Sequence, residues 1–133
     1  MNQIVAIIKK INNVDNLNIV EFDFNGTTLK MMSLDLDSDV QVGKKVNLIT
    51  KPTNISIAKN LSGELSLSNQ LVATIQNIEN GQLLASVELN VNDTILESII
   101  TVDSSKRMNL QIGEVVTILI KASNLSIGEV LND

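Results

Sequence analysis

Seven polar side chains in the second half of the chain could act together: Ser66, Ser68, Thr101, Ser104, Ser105, Lys121 and Ser123. Hydroxyls, backbone N–H groups and one ammonium form a donor-rich set. Such a set suits a fully deprotonated oxyanion, which can only accept hydrogen bonds. A helix beginning at Ser104–Ser105 would add oriented N–H groups and a favourable dipole. A micromolar site needs about −8 kcal/mol. Charged hydrogen bonds contribute roughly 1.5–3 kcal/mol each, so about five or six would suffice after the costs of binding. In the first half, Ser33 stands for Thr101, Lys51 for Lys121 and Thr53 for Ser123, whereas only Met1 precedes Asn2, so Ser66 has no counterpart.

Each of these residues also has an ordinary structural use. Serines in β-proteins mostly sit in loops or cap turns, and a lysine closing a strand commonly guards a sheet edge. Asp103 and Glu64 lie near the donors and would repel an anion unless turned away. The acidic run DLDSD (35–39) lacks the glycine and terminal glutamate of a calcium-binding loop and reads as a solvated turn.

Composition removes most other chemistry. There is no histidine and no cysteine, hence no imidazole base, no thiolate nucleophile, no disulfide and no transition-metal cluster. No catalytic constellation is present, and the chain is expected not to be an enzyme. A net charge of −5 and the absence of Trp and Tyr argue against nucleic-acid binding by this chain. The apolar stretch in MNQIVAIIKKI is too short for a signal peptide or a membrane span, so the expected location is the cytoplasm, with no membrane partner. With 44% apolar residues and a mean hydropathy of +0.20, a monomer would leave much aliphatic surface exposed. Self-association is the expected remedy.

The elements that must position the donors come from a tandem repeat. NQIVAIIKKI (2–11) matches NQLVATIQNI (69–78) at six of ten positions, an offset of 67 (69 − 2). VGKKVNLITKPTNISIA (42–58) matches IGEVVTILIKASNLSIG (112–128) at an offset of 70 (112 − 42), so the second copy carries three extra residues between the blocks. Each copy reads as strands. IVEFDF (19–24) alternates, with Val20, Phe22 and Phe24 on one face, and SVEL (86–89) puts Val87 and Leu89 in the same phase. Asn25-Gly26, Asn92-Asp93, Asn80-Gly81, Gly43 and Gly113 mark turns. One helical turn per copy is expected, around Asp35–Val40 and Asp103–Leu110, the latter capped by Asp103 or Ser104. The fold class is all-β, two tandem small OB-like barrels of about five strands each. The repeats span 1–60 and 65–133, joined through KNLSGELS (59–66).

SLSNQLVATI, then SIITVDSS, then LQIGEVVTILIKASNLSIG resembles the Mop (TOBE-type) molybdate-binding domain. That pattern runs Ser-Ala-Arg-Asn-Gln, a strand, Ile-Thr with a serine three residues on, Leu-x-x-Gly, and a closing Ile-Lys-Ala strand. The second copy matches over nearly its full length, and the first has the same order of elements with fewer identities. The resemblance implies an OB-like barrel per repeat, a homo-oligomer with a trimer favoured over a dimer, and tetrahedral oxyanions held between Mop units. Carried over residue by residue, Ser66 matches the first serine, Thr101 the threonine, Ser104 the serine after it, and Lys121 the strand-end lysine. Ser68 stands where the pattern has arginine, which removes a guanidinium from the implied site. Arg107 is the only arginine in the chain.

The oxyanion-binding set is therefore Ser66, Ser68, Thr101, Ser104, Lys121 and Ser123, with Ser33 and Lys51 as secondary candidates, the ligand being molybdate or tungstate and no cofactor or metal cation. The implied function is oxyanion storage or homeostasis at inter-subunit sites of a di-Mop, molbindin-like protein. No helix-turn-helix pattern precedes Asn2, which ranks storage above the effector domain of a molybdate-responsive regulator. A structural module with decayed oxyanion sites is the other alternative.

Overall fold

The structure is a computed structural model, and it describes residues 1–132. The first five strands are β1 (Asn2–Val14), β2 (Leu17–Phe24), β3 (Thr27–Ser33), β4 (Lys45–Thr50) and β5 (Ser56–Ala58). The second five are β6 (Asn69–Asn80), β7 (Leu84–Val91), β8 (Thr94–Thr101), β9 (Val115–Ile120) and β10 (Ser126–Val130). Among the described residues one α-helix, α1 (Val102–Arg107), follows β8, and 3-10 turns occupy Pro52–Asn54 and Ala122–Asn124. Among the described residues no helix is long and apolar enough to cross a membrane.

Alternation builds the core, as the strand periodicity requires. In β1 and β6 the residues Ile4, Ala6, Ile8 and Leu71, Ala73, Ile75 point inward. Val20, Phe22 and Phe24 are buried on β2, as are Val87 and Leu89 on β7. The β2–β3 and β7–β8 hairpins turn through two left-handed residues each, Asn25-Gly26 and Asn92-Asp93, the backbone pattern that matches strand twist. Each long first strand carries a bulge, at Lys9 and at Gln76, where its partner changes from the fourth strand of the unit to the second. The change is fixed by matching backbone bonds. Gly43 N–H donates to Ile8 O, and Gly113 N–H donates to Ile75 O, both at 2.7 Å. Each glycine has φ near +90°, a conformation that strains other residues.

The two sheets exchange their last strands. Their orders are β10-β4-β1-β2-β3 and β5-β9-β6-β7-β8. Thus β5, which follows β4 in sequence, pairs with β9, and β10 pairs with β4. Spans 1–60 and 65–133 each supply four strands to one sheet and a fifth to the other. Two hydroxyls hold the crossing segments: Ser98 Oγ donates to Ile55 O at 2.6 Å, and Thr50 Oγ1 donates to Asn124 O at 2.8 Å.

Two local expectations are corrected. Residues 35–40 form a turn, with Val40 N–H donating to Asp37 O at 3.0 Å, and not a helical turn. Asp and Ser side chains compete for nearby backbone groups and favour turns over helix interiors. Ser33 is not the positional match of Thr101. The hairpins keep the offset of 67, so Ser33, paired with Asn18, corresponds to Ile100, paired with Ala85. The three extra residues of the second copy fall after β8, where they build α1.

Candidate functional site

The helix that follows β8 organises the best-defined polar group. Thr101, not Asp103 or Ser104, is its N-cap: Thr101 Oγ1 accepts from Ser104 N–H at 3.1 Å. That N–H is therefore engaged inside the protein, and a helix of six residues offers little dipole. What remains is side-chain chemistry. Thr101 Oγ1 donates to Ser104 Oγ at 3.0 Å, and Arg107 Nη2 donates to the same oxygen at 3.1 Å. A hydroxyl oxygen has two acceptor sites and one proton. With two donors on its oxygen, Ser104 keeps its own proton for a further acceptor, and the residue lines a cleft. Ser105, by contrast, is buried.

Ser104 and Arg107 line an open cleft together with Ser56, Lys59, Asn60 and Met108. Ser56 and Lys59 come from the first copy, carried there by the exchanged strand β5. Lys59 Nζ donates to the carbonyls of Met108 at 2.9 Å and Asn109 at 3.1 Å, satisfying the C-terminal end of α1. It also pairs with Glu114 at 2.9 Å, and this hydrogen bond lowers the Glu114 pKa below its ordinary value. Arg107 is held more loosely. Its Nε lies 4.0 Å from Asp103 Oδ2, with both side chains largely exposed.

The other expected site residues form a separate group. Ile120 pairs with Asn69, so Lys121 and Ser68 continue from the same end of the β6–β9 ladder. Ser66 and Ser68 are exposed in the segment before β6, and Lys121 and Ser123 are exposed around the second 3-10 turn. Among the described residues none of these four makes a side-chain hydrogen bond or ion pair, and none lines the Ser104 cleft. Lys51 occupies the matching place before Pro52. Ser33 donates to Asp35 O at 2.8 Å beside a second cleft lined by Asp35, Asp37, Asp39, Ser126 and Glu129. One chain thus gathers Thr101 with Ser104, sets Ser66, Ser68, Lys121 and Ser123 apart from them, and leaves Ser33 in acidic surroundings.

Sequence reasoning missed Asn2 and Asn69, both buried. Asn69 grips both backbone groups of Lys30, and Asn2 grips those of Glu97. Their recurrence in the Asn-Gln pair was the available signal. Lys59 was also missed, because it lay in the segment read as a linker.

The family model for the TOBE domain matches residues 65–127. A probable molybdenum-pterin-binding protein of Haemophilus influenzae is 30% identical over 66 residues, covering 49% of this chain and 96% of its own length. The chain belongs to the Mop/TOBE family. Among solved structures, the cytoplasmic molybdate-binding protein ModG, in a form with molybdate bound, aligns with a TM-score of 0.88. It is 24% identical, and the alignment covers 96% of this chain and 94% of ModG, which establishes the same fold of two OB-like barrels. A molybdate-binding protein from Sporomusa ovata is 35% identical over 45% of this chain and 90% of its own, with a TM-score of 0.44. This Mop/TOBE chain therefore has family relatives named for binding and not for a reaction.

Proposed function

We propose that this protein binds molybdate or tungstate without catalysis and serves in cytoplasmic storage or homeostasis of the oxyanion. The observation that carries the reading is the Thr101–Ser104 pair, in which Ser104 retains one hydroxyl donor of the kind a tetrahedral oxyanion needs. The family relative from Haemophilus influenzae and the fold shared with ModG support the choice of ligand.

The functional units are the repeats 1–60 and 65–133, each completed by the other's last strand. A full site joins Thr101 and Ser104 of one subunit to Ser66, Ser68, Lys121 and Ser123 of another. The separation of these two groups within one chain supports that arrangement, as do Val5, Val72 and Val115, which are exposed on the outer faces of the sheets. Lys121 supplies the neutralising charge, and the hydroxyls direct hydrogen bonds to the ligand oxygens.

Titration calorimetry with molybdate, tungstate and sulfate tests the ligand. Heat from the first two at micromolar protein is expected, and its absence would overturn the reading. Co-assembly tests the shared site. Lys121→Ala and Ser104→Ala proteins, each impaired alone, should recover part of their binding when unfolded and refolded together. If the mixture binds no better than either variant, the two groups do not form one site across subunits.

A further inference from the structure

The two exchanged strands create two pseudo-equivalent clefts, and their charges are opposite. Ser56 on β5, paired with Leu119, corresponds to Ser126 on β10, paired with Ile49. Each cleft also receives a charged residue of opposite sign, Lys59 after β5 and Glu129 within β10. Beside β5 the cleft carries the cations Lys59 and Arg107 with the Ser104 hydroxyl. Beside β10 it carries Asp35, Asp37, Asp39 and Glu129. The source of the difference is local. The three extra residues after β8 build α1 and bring Ser104 and Arg107 into the first of these clefts, whereas the shorter first copy has an acidic turn there.

We propose that the β5 cleft is the one anion-receiving cleft of each chain, that Arg107 is its specificity-determining cation, and that the β10 cleft takes no oxyanion. The inference rests on the oxyanion reading above and adds a residue and a stoichiometry to it. Lys59 is already committed to Glu114 and two carbonyls. Arg107 gives one N–H to Ser104 and approaches only the exposed Asp103, so most of its five donors remain for a ligand. A planar guanidinium can present two parallel N–H groups to an oxyanion, which an ammonium cannot. The Ser104 proton, left for a further acceptor by the bonds from Thr101 and Arg107, would meet the same ligand. Like charges in the β10 cleft would repel a dianion, since opposite charges favour it and like charges oppose it at these ranges.

Equilibrium dialysis and calorimetry with molybdate on the assembled full chain test the proposal. One molybdate per chain is expected. Arg107→Gln should weaken binding at least tenfold, Arg107→Lys should recover only part of it, and both should melt near the unaltered protein because the side chain is largely exposed. Asp37→Asn and Glu129→Gln together should leave affinity and stoichiometry unchanged. Two molybdates per chain, or Arg107→Gln binding within twofold of the unaltered protein, would overturn the proposal while leaving the oxyanion reading intact. No binding by the unaltered protein would overturn both.

Discussion

Asn69 Oδ1 accepts a hydrogen bond from Lys30 N–H at 2.7 Å, and Asn69 Nδ2 donates to Lys30 O at 2.9 Å. The side chain of a residue on β6 thereby acts as a short piece of strand against β3, the edge of the other sheet. Asn2 does the same to Glu97 on β8, with distances of 2.8 and 2.7 Å. The offset is 67 in both comparisons (69 − 2 and 97 − 30), so the two clamps are copies of one device. They engage one edge strand of each sheet, β3 and β8, and tie each barrel to the other, at edges that would otherwise be available for mispairing.

Asn69→Ala should be one of the costlier substitutions in the chain. It removes two hydrogen bonds at a fully buried position and strands both backbone groups of Lys30, a loss of about 2–4 kcal/mol. Asn2→Ala should cost less, because Asn2 keeps some exposure whereas Asn69 keeps none. Urea unfolding monitored by circular dichroism would measure both. Equal, small effects below about 0.5 kcal/mol would deny the clamps a role in stability.

Gly128 marks the tight point of the strand exchange. Gly128 is the extra residue between the Ile127–Leu48 and Glu129–Asn47 pairs, and a Cβ placed there would lie 2.9 Å from Ile49 Cγ2 and 3.2 Å from Asn47 O. Gly128→Ala should therefore destabilise the protein by about 1–3 kcal/mol through overpacking. Adding Ile49→Ala removes the obstructing methyl and should restore part of the loss. Additive costs in the double variant would show that the crowding is not at Ile49.

Much of this architecture was legible because it depends on local pattern. Strand alternation in IVEFDF, the Asn-Gly and Asn-Asp turns and the tandem offset all act within a few residues or between two similar segments. The exchange of β5 and β10 was not legible, since NISI and NLSI pack on either barrel with the same apolar phase. The match of Ser33 to Thr101 failed by one residue, because the insertion was spread over a gap that the hairpin register confines to α1. Asn2 and Asn69 were visible as a repeat, yet their purpose depends on a partner edge about 39 residues or more away in sequence. Thr101 and Ser104 were singled out as donors by type and then by the family resemblance, and the structure brings the two together, but the capping bond that consumes the Ser104 N–H was assigned to the wrong residue.

Thr101 should affect both stability and binding. Thr101→Ala removes the cap of α1, at about 1 kcal/mol, and frees one acceptor site on Ser104. Ser104 would then lose one of the two bonds that orient its hydroxyl, and molybdate affinity should fall about tenfold, which is about 1.4 kcal/mol. Thr101→Ser keeps the hydroxyl and should retain both properties. Melting curves and calorimetry on the pair separate the effects. If Thr101→Ala loses stability with affinity unchanged, Thr101 is a cap and nothing more.

The Lys59–Glu114 pair makes stability depend on pH in one direction. The Lys59 hydrogen bond lowers the folded-state pKa of Glu114 below its ordinary value of 4.5. A group with a depressed folded pKa binds its proton less readily in the native state, so the unfolded chain takes up more protons as the pH falls. The contribution is thus fully present above the ordinary carboxylate range and is lost as the pH drops through the lowered folded value. Lys59→Met should flatten this part of the stability profile and leave the carbonyls of Met108 and Asn109 without their ammonium donor. Melting temperatures measured from pH 7 down through the carboxylate range, for the unaltered protein, Lys59→Met and Glu114→Gln, would expose the linkage. The two variants should show a shallower acid decline than the unaltered protein. Three parallel profiles would mean that Glu114 titrates alike in the folded and unfolded chain.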